Sequence, residues 1–237
     1  MERHAQFGKI LAAPEPLPAA LIERFRAHPP VHAYDAMGRH GAVHHEIKPI
    51  ASGMKVCGPA VTVWTRAADA LFVLKSSDVV RPGEVIVVDA AGIKEFCCMG
   101  DRIAWYLERA GAAGIVVDGG VRDASILRAK GWPVFARSIA MPLWPGAGPG
   151  AINIPIQCGG IPVQPGDLIL GDDDGVVVVP RADAERVIEL TEAHAALEEE
   201  RHARMVAGQS YIDAMGMTER VAYWTGSEAA DRAKWGI

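Results

Sequence analysis

Residues 99–123 read MGDRIAWYLERAGAAGIVVDGGVRD, and this stretch decides the fold. Its apolar side chains recur at the i, i+3, i+4, i+7 spacing of a helix with one buried face, namely at Ile103, Tyr106, Leu107 and Ala110. Gly111 and Gly114 end this helix. The apolar run at residues 115–117 is typical of a buried parallel strand. The stretch therefore predicts a helix followed by a strand.

The flanking segments extend this order into a βαβαβ unit. Residues 85–88 and 134–136 are further short apolar runs that predict strands, and Ala124–Lys130 is a helical segment that ends at Gly131. Right-handed crossovers place all the strand-to-helix loops at one edge of a parallel sheet. Because open α/β sheets bind ligands at the carboxyl ends of their strands, this edge is the predicted site.

Three charged residues fall at that edge. Asp101 opens the first helix, whose free N–H groups can bind a carboxylate or phosphate, while Arg122 and Asp123 precede the second helix. Arg122 offers a planar partner for a carboxylate, and Asp123 offers a hard oxygen ligand for a divalent cation. The alternative is structural, because Asp commonly caps helices and Arg122 could form a surface ion pair of small consequence.

At these residues the chain resembles the class II pyruvate aldolases, which carry the motif Asp-x20-Arg-Asp. The same family contains the regulator of ribonuclease activity A. The resemblance covers about residues 30 to 215 and includes the segments YDAMG (34–38), IKPI (47–50), GPAVTV (58–63), PGEVIVVD (82–89), GWPVFAR (131–137) and VQPGDLILGDDDGVVVVPR (163–181). The intact Arg122-Asp123 pair is similar to the aldolases rather than to the regulator branch.

The resemblance implies an α/β fold with a layered α/β/β architecture like that of swivelling domains, a central βαβαβ unit and a long C-terminal helix. It implies a single domain over residues 1–237, in which 1–30 form an N-terminal helical segment, 31–180 the core, and 181–237 a C-terminal helix and tail for subunit contacts. A short internal repeat fits this architecture, since residues 82–92 and 165–175 share a Pro-Gly turn, a strand and a final glycine.

The resemblance also implies the site residues. Asp123 would bind Mg²⁺ or Mn²⁺ with water in much of the shell, and Arg122 would contact the substrate. The pyruvyl carboxylate would lie among loop and backbone groups of Gly100, Asp101, Arg102 and Ile103. A glutamate from the C-terminal helix of a neighbouring subunit would approach the metal waters, with Glu198 the best match and Glu199 next. The expected assembly is a trimer or a dimer of trimers.

The implied activity is that of a metal-dependent carbon–carbon lyase in aromatic compound catabolism. It would cleave a 4-hydroxy-2-oxo acid, such as 4-hydroxy-4-methyl-2-oxoglutarate or 4-carboxy-4-hydroxy-2-oxoadipate, to pyruvate and a second oxo acid, with oxaloacetate decarboxylation as a side activity. Asp101 or the neighbouring glutamate would position the water that carries the proton. Arg102, where the aldolases usually have an apolar residue, together with Cys97 and Cys98, departs from the family pattern and leaves the substrate open. A non-catalytic regulator-type binding protein and a 2-oxo acid decarboxylase remain alternatives.

Composition excludes several other classes of protein. The net charge of −5 argues against a nucleic-acid-binding surface. No apolar run approaches the roughly 20 residues of a membrane span, and the N-terminus lacks a signal pattern. The four cysteines form no disulfide framework, which makes a reducing, cytoplasmic setting the expectation, with Cys97 and Cys98 as ordinary thiols.

Several further patterns have structural interpretations. The aspartates at residues 172–174 favour a hairpin turn over a metal site, and His44 and His45 on a strand would face opposite ways and could not share an ion. Residues 182–207 predict a long charged helix that either lies in solvent or packs on a neighbouring subunit. The tail at 209–237 contains aromatic residues that are candidates for subunit contacts, namely Tyr223, Trp224 and Trp235.

Overall fold

The computed structural model describes residues 8–144 and 146–225. The strands in these ranges are β1 Lys9–Ile10, β2 Lys48–Pro49, β3 Val56–Thr65, β4 Val85–Asp89, β5 Gly114–Val121, β6 Val134–Ile139, β7 Gly150–Ile152, β8 Ile156–Cys158, β9 Ile161–Val163, β10 Leu168–Asp172 and β11 Gly175–Val179. The helices are α1 Ala19–Arg26, α2 Pro30–Ala36, α3 Leu71–Lys75, α4 Asp101–Arg109, α5 Ala124–Lys130, α6 Ala184–Val206, α7 Tyr211–Ala214 and α8 Thr218–Thr225, with 3-10 turns at Ser76–Asp78 and Arg181–Asp183. The predicted α/β class is confirmed.

The predicted βαβαβ unit is the centre of the main sheet. The strand order is β1-β7-β3-β4-β5-β6-β2, and β4, β5 and β6 are parallel neighbours joined by α4 and α5. In the register of β4 and β5, Asp89 lies beside Asp118, so both strands reach the same edge together. This edge receives the loops that precede α4 and α5.

The two faces of the sheet are covered by different layers. One face packs on helices α3, α4 and α5, where Leu107 and Leu127 are almost fully buried against strand residues such as Ile115. The other face packs on the β8–β9 hairpin and the segment before β2, with Cys158 and Ile47 fully buried. Because each face of the parallel strands is covered, β4 and β5 are apolar throughout rather than alternating. This arrangement confirms the expected α/β/β layering.

Helix α4 differs in one respect from its predicted buried face. Leu107 is fully buried, and Ile103 and Ala110 pack partly buried against the core, as expected. The prediction for Tyr106 is wrong, because its side chain is 52% exposed and Ala104 takes its place in the core. The helix is therefore rotated about its axis relative to the predicted stripe.

A third cluster joins α1, α2 and the first turns of α6 to the β10–β11 hairpin, with Phe25 and Ile188 among its buried residues. The chain divides into two compact units, Met1–Thr191 and Glu192–Ile237. The predicted long helix is confirmed as α6, which begins in the first unit and continues in the second. The assignment of the whole chain to one domain, and of its tail to subunit contacts, stays a prediction. No helix in the described ranges is both long and apolar enough to span a membrane.

The short internal repeat forms the same turn twice, before β4 and before β10. Gly83 and Gly166 have left-handed φ angles of +87° and +84°. Glu84 and Asp167 each accept a hydrogen bond from the backbone N–H three residues earlier, at 2.7 and 2.8 Å. The strands that follow have different partners, since β4 runs parallel to β3 while β10 runs antiparallel to it.

Candidate active site

The end of β5 brings Asp123 onto the first turn of α4. Asp123 occupies the N-cap position of α5 with a left-handed backbone (φ 58°, ψ 34°), a conformation that Asp tolerates better than most residues. Its carboxylate does not cap α5. Instead, Oδ2 accepts a hydrogen bond from the backbone N–H of Asp101 at 3.2 Å. The capping alternative for Asp123 is therefore wrong, and its carboxylate joins the starts of both helices.

Gly100 is what permits this approach. A Cβ at position 100 would overlap the carboxylate of Asp123 and lie 3.1 Å from Cγ of Arg122. The backbone N–H of Arg122 also donates to the carbonyl of Met99 at 3.0 Å, which holds the two segments together. Gly100, rather than Asp101, is the N-cap of α4, so the prediction that Asp101 might serve as that cap is also wrong.

The first turn of α4 retains free donors. Ala104 N–H donates to the carbonyl of Gly100, but the N–H groups of Arg102 and Ile103 have no acceptor among the residues that the structure describes. The carboxylate of Asp101, half-buried, likewise makes no hydrogen bond within those residues. Together with the partial positive charge of the helix start, these groups can bind an anion.

Arg122 carries an unsatisfied donor at this position. Its side chain is 41% exposed, yet its Nε atom is buried and lacks a hydrogen-bond partner among the described residues. The nearest anionic atom is Oδ2 of Asp123, 3.7 Å away and beyond hydrogen-bond length. A buried donor without a partner is costly, and an oxygen of a bound ligand would satisfy it.

The donor set fits one hydrated divalent cation. Asp123 is one-third exposed, and no described residue donates a hydrogen bond to its Oδ1 atom. Within the described part of the chain, no group of three or more His, Cys, Asp or Glu side chains is arranged to hold a metal. Mg²⁺ commonly keeps several waters and binds through one or two carboxylates, which this arrangement can supply, whereas a fully protein-built cage does not fit.

Cys97 and Cys98 lie beneath the site as buried thiols. Burial raises the pKa of both, that of Cys98 to about 12. The thiolate is the form that attacks electrophiles and binds metals, and burial favours the neutral thiol at both residues. This agrees with their interpretation as ordinary thiols.

A second Arg–Asp pair, which the sequence analysis did not identify, joins the neighbouring strands β5 and β6. Arg137 Nε donates to Asp118 Oδ1 at 2.6 Å, and the N–H of Gly159 donates to Asp118 Oδ2 at 2.6 Å. The two side chains are only 11% and 8% exposed. The signal that could have revealed them is a single charge inside each of two apolar strand runs, VVDGG and VFAR.

Asp118 of this second pair lies where β5 is irregular. Arg137 connects the pair to a network of charged residues at the surface. The register between β5 and β6 shifts between Val117 and Gly120, as in a β-bulge. Arg137 Nη1 also donates to Glu46 Oε2 at 3.1 Å, and Lys94 Nζ donates to Glu46 Oε1 at 2.9 Å. Hydrogen bonds from Lys94 and then Arg137 lower the pKa of Glu46 to about 2.

His44 belongs to this network rather than to a metal site. Its Nδ1 atom lies 2.9 Å from Arg137 Nη1. The expectation that His44 and His45 lie on a strand and face opposite ways is wrong, because the segment turns there and the two rings lie side by side, with centroids 4.4 Å apart and planes tilted by 31°. Two adjacent histidines can share a side of the chain when the backbone is not extended.

The aspartates at residues 172–174 form a turn, as predicted. β10 and β11 pair antiparallel with Asp172 opposite Gly175. The carboxylate of Asp173 accepts from Ser52 Oγ and from the N–H of Gly53, both at 2.9 Å. These carboxylate oxygens tie one turn to another.

Glu198 and Glu199 lie in the part of α6 that belongs to the second unit. Glu198 forms an ion pair with Arg201 at 3.1 Å, one turn along the same helix. The approach of either glutamate to a neighbouring site stays a prediction. In the tail, Tyr223 is 52% exposed, and Trp235 lies outside the described residues.

Beside Asp101, the exposed surfaces of α4 and α5 form a cleft of about 350 Å³. It is lined by Asp101, Arg102, Trp105, Tyr106, Ile126 and Lys130. Because Asp101 also donates its N–H to Asp123, the cleft adjoins the Arg122–Asp123 site. The arrangement thus combines an anion-binding helix start, an exposed carboxylate, an unsatisfied guanidinium and an adjacent cleft.

Comparison with known proteins places this arrangement in a family. A family model described as RraA-like, Aldolase/RraA, matches residues 31–178. The chain belongs to this RraA-like family. The matched range contains the whole βαβαβ unit and every residue of the Arg122–Asp123 site.

Individual relatives cover most of this RraA-like chain. A protein of Halalkalibacterium halodurans named "Putative 4-hydroxy-4-methyl-2-oxoglutarate aldolase" is 37% identical over 198 residues, which are 82% of this chain and 94% of the relative. The solved structure of an uncharacterized protein from Pseudomonas syringae pv. tomato has a TM-score of 0.75 at 26% identity and covers 86% of this chain and 98% of its own. Streptomyces coelicolor RraAS2, described as an unusual member of the RNase ES inhibitor RraA family, has a TM-score of 0.68 at 31% identity over 81% of this chain and 99% of its own.

Proposed function

We propose that this RraA-like protein is a divalent-metal-dependent aldolase. It cleaves a 4-hydroxy-2-oxo acid, such as 4-hydroxy-4-methyl-2-oxoglutarate or 4-carboxy-4-hydroxy-2-oxoadipate, to pyruvate and a second oxo acid. The observation that carries the proposal is the unsatisfied Arg122 Nε beside an Asp123 carboxylate that is fixed on the start of α4 and has one oxygen free. The names of several relatives support the same reaction class.

The pyruvyl end of the substrate is assigned to the start of α4. The free N–H groups of Arg102 and Ile103 bind its carboxylate, with the loop at Gly100 and Asp101 as the other wall. Arg122 donates to the oxygen on which negative charge develops as the C3–C4 bond breaks, and this contact strengthens in the transition state. The unsatisfied Nε atom is the donor available for that oxygen.

Asp123 is the residue assigned to bind Mg²⁺ or Mn²⁺, and the bound ion would supply Lewis-acid polarisation of the 2-oxo group. The proton of the C4 hydroxyl leaves through a water molecule that Asp101, or a glutamate of a neighbouring subunit, holds by its carboxylate. Oxaloacetate has the same pyruvyl end, and its decarboxylation produces the same enolate, so it is a side activity.

The neighbouring glutamate requires a shared site, and we assign it to Glu198 or Glu199 in a trimer or a dimer of trimers. Mixing inactive Asp123→Ala subunits with inactive Glu198→Ala subunits would then restore part of the activity, because some sites would receive Asp123 from one chain and Glu198 from the next. A monomer in light scattering, or no recovery after proven subunit exchange, would return Glu198 to an ordinary surface ion pair with Arg201.

The decisive experiment measures pyruvate release from a panel of 4-hydroxy-2-oxo acids and from oxaloacetate, with Mg²⁺ and with EDTA. The aldolase proposal expects release from at least one hydroxy acid and its loss in EDTA. Release from oxaloacetate alone would identify a decarboxylase. No release from any compound would favour a binding protein like the RNase inhibitors named among the solved relatives.

A further inference from the structure

We propose, building on the aldolase function, that the cleft between α4 and α5 binds the C4 substituent of the substrate. The substituent it fits is apolar along its length and carries a carboxylate at its end. The cleft begins at Asp101, whose N–H is already tied to the Asp123 carboxylate. Its volume of about 350 Å³ is within the range of small-molecule sites.

The uncharged part of the cleft wall consists of three large side chains, Trp105, Tyr106 and Ile126. Trp105, Tyr106 and Ile126 are 45%, 52% and 54% exposed, which is unusual for three large apolar side chains on two adjacent helices. The rings of Trp105 and Tyr106 meet edge to face with centroids 4.9 Å apart. Such a wall removes an apolar chain from water without having to be reorganised first.

The cleft is lined by two cations, Arg102 and Lys130, and by the carboxylate of Asp101 at its start. Lys130 is ion-paired with Glu108, so its charge is balanced. Arg102 is exposed and forms no ion pair or hydrogen bond with any residue that the structure describes. A guanidinium matches a carboxylate in a two-point contact, which an ammonium group cannot reproduce. Arg102 is therefore the group that would recognise a terminal carboxylate.

The orientation follows from α4 itself. The backbone N–H groups of Arg102 and Ile103 lie at the helix start, whereas the side chains of Trp105 and Tyr106 lie one turn further along. A substrate whose pyruvyl carboxylate is at the helix start can extend its C4 substituent along this turn. Because Arg102 lines the same cleft as Trp105 and Tyr106, we assign the carboxylate at the end of the substituent to its guanidinium.

The test uses two unreactive ligands of equal length. 2-Oxoadipate ends in a carboxylate and 2-oxohexanoate ends in a methyl group, and neither has the C4 hydroxyl that cleavage requires. Isothermal titration calorimetry of the full chain with Mg²⁺ should give a dissociation constant at least 10-fold lower for 2-oxoadipate, as expected of one charge-assisted contact. Arg102→Leu should reduce this preference to less than about 3-fold, and Arg102→Lys should retain part of it.

Arg109→Leu is the matched control. Arg109 lies on the same helix, over the ring of Trp105 at 4.8 Å, but does not line the cleft, so its loss should leave the preference unchanged. Trp105→Ala should weaken both ligands by a similar factor, because it removes apolar wall and no charge. Equal affinity of the wild type for both ligands, or an unchanged preference in Arg102→Leu, would overturn the inference.

The outcomes separate this inference from the proposed function. Pyruvate release from hydroxy acids without any Arg102-dependent preference would leave the aldolase standing and overturn the cleft assignment. An Arg102-dependent preference without pyruvate release from any hydroxy acid would support the cleft and overturn the aldolase. If neither ligand binds while light scattering shows an oligomer, the assignment is overturned in favour of a second subunit covering the cleft.

Discussion

Two Arg–Asp pairs lie near the end of β5, and they are built in opposite ways: Asp118 of β5 pairs with Arg137 of β6, whereas Arg122 and Asp123 directly follow β5. The closed pair, Asp118 and Arg137, is almost buried, and its side chains meet at 2.6 Å. Asp118 also accepts a hydrogen bond from Gly159, and Arg137 also donates one to Glu46. The open pair, Arg122 and Asp123, is partly exposed, with Arg122 Nε 3.7 Å from Asp123 Oδ2, and that Nε atom has no hydrogen-bond partner among the described residues.

The difference distinguishes a structural pair from a binding pair. A buried ion pair is tolerated only when its hydrogen bonds are complete, and the Asp118–Arg137 pair meets that condition. An incomplete pair at a helix start is maintained at a cost, so an external ligand is the simplest reason for it. Local composition cannot separate the two, because both consist of the same residue types.

The largest expected effect is on the open pair. Asp123→Asn keeps the acceptor for the Asp101 N–H and tolerates the left-handed backbone, but it removes the charge. We expect pyruvate release to fall about 1,000-fold, since Lewis-acid assistance is worth several kcal/mol. The free energy of unfolding, measured in urea, should change by no more than about 1 kcal/mol. Wild-type turnover in this variant would leave Asp123 with a structural role only.

Substitution in the closed pair should change the free energy of unfolding rather than the rate of pyruvate release. Arg137→Leu leaves Asp118 as a buried, uncompensated charge, so the free energy of unfolding should fall by about 3 to 5 kcal/mol. Adding Asp118→Asn removes that charge and retains an acceptor for the N–H of Gly159, so the double variant should recover part of the loss. Denaturant titration measures both. A double variant less stable than Arg137→Leu would contradict a closed, structural pair.

Arg122→Lys tests the contribution of the guanidinium in the open pair. The change keeps the charge but loses the planar donor set, and we expect kcat to fall about 10- to 100-fold with a smaller rise in KM. Stability should be unaffected, because the side chain is 41% exposed. Steady-state kinetics measures both constants. A change in KM alone would mean that Arg122 binds the substrate without stabilising the transition state.

The smallest effect concerns the surface end of the closed network. The pKa of Glu46 is lowered from 4.5 to about 2, so its contribution to stability is complete above pH 4.5 and is lost as the pH falls towards 2. Glu46→Gln removes this dependence, and the melting temperature should then fall less between pH 5 and pH 2.5 than in the wild type. The effect is small because Glu46 is one-third exposed and screened by solvent. If the melting temperatures of the two proteins fell equally between pH 5 and pH 2.5, Glu46 would not contribute to the loss of stability in acid.

Local signals were sufficient for the elements of the βαβαβ unit. The apolar runs in β4, β5 and β6 and the left-handed Gly131 after α5 lie where the sequence predicts them, because burial on both faces and helix termination are short-range properties. Tyr106 was misassigned because two settings of α4 satisfy nearly the same spacing. Packing of Ala104 against the sheet, a tertiary property, selects between them.

The sequence predicted where Arg122 and Asp123 lie relative to β5, but not which groups their side chains contact. Arg122 and Asp123 follow β5 as expected, yet the carboxylate of Asp123 reaches the start of α4 rather than its own helix. That contact depends on the missing side chain at Gly100, twenty-three positions earlier, and on a left-handed backbone at Asp123. The pairing of Asp118 with Arg137 depends in turn on the register of neighbouring strands, which no local pattern contains.

The register shift in β5 also matters for comparing this chain with its relatives. Because side chains alternate along a strand, one residue added or removed between Val117 and Gly120 would exchange the faces on which the following side chains lie. An alignment that opens a gap there would shift Arg122 and Asp123 relative to Asp118 and to the strand that positions them. Residues 117–123 should therefore be aligned as one ungapped block, and a relative whose length differs within that block should not be assigned this site.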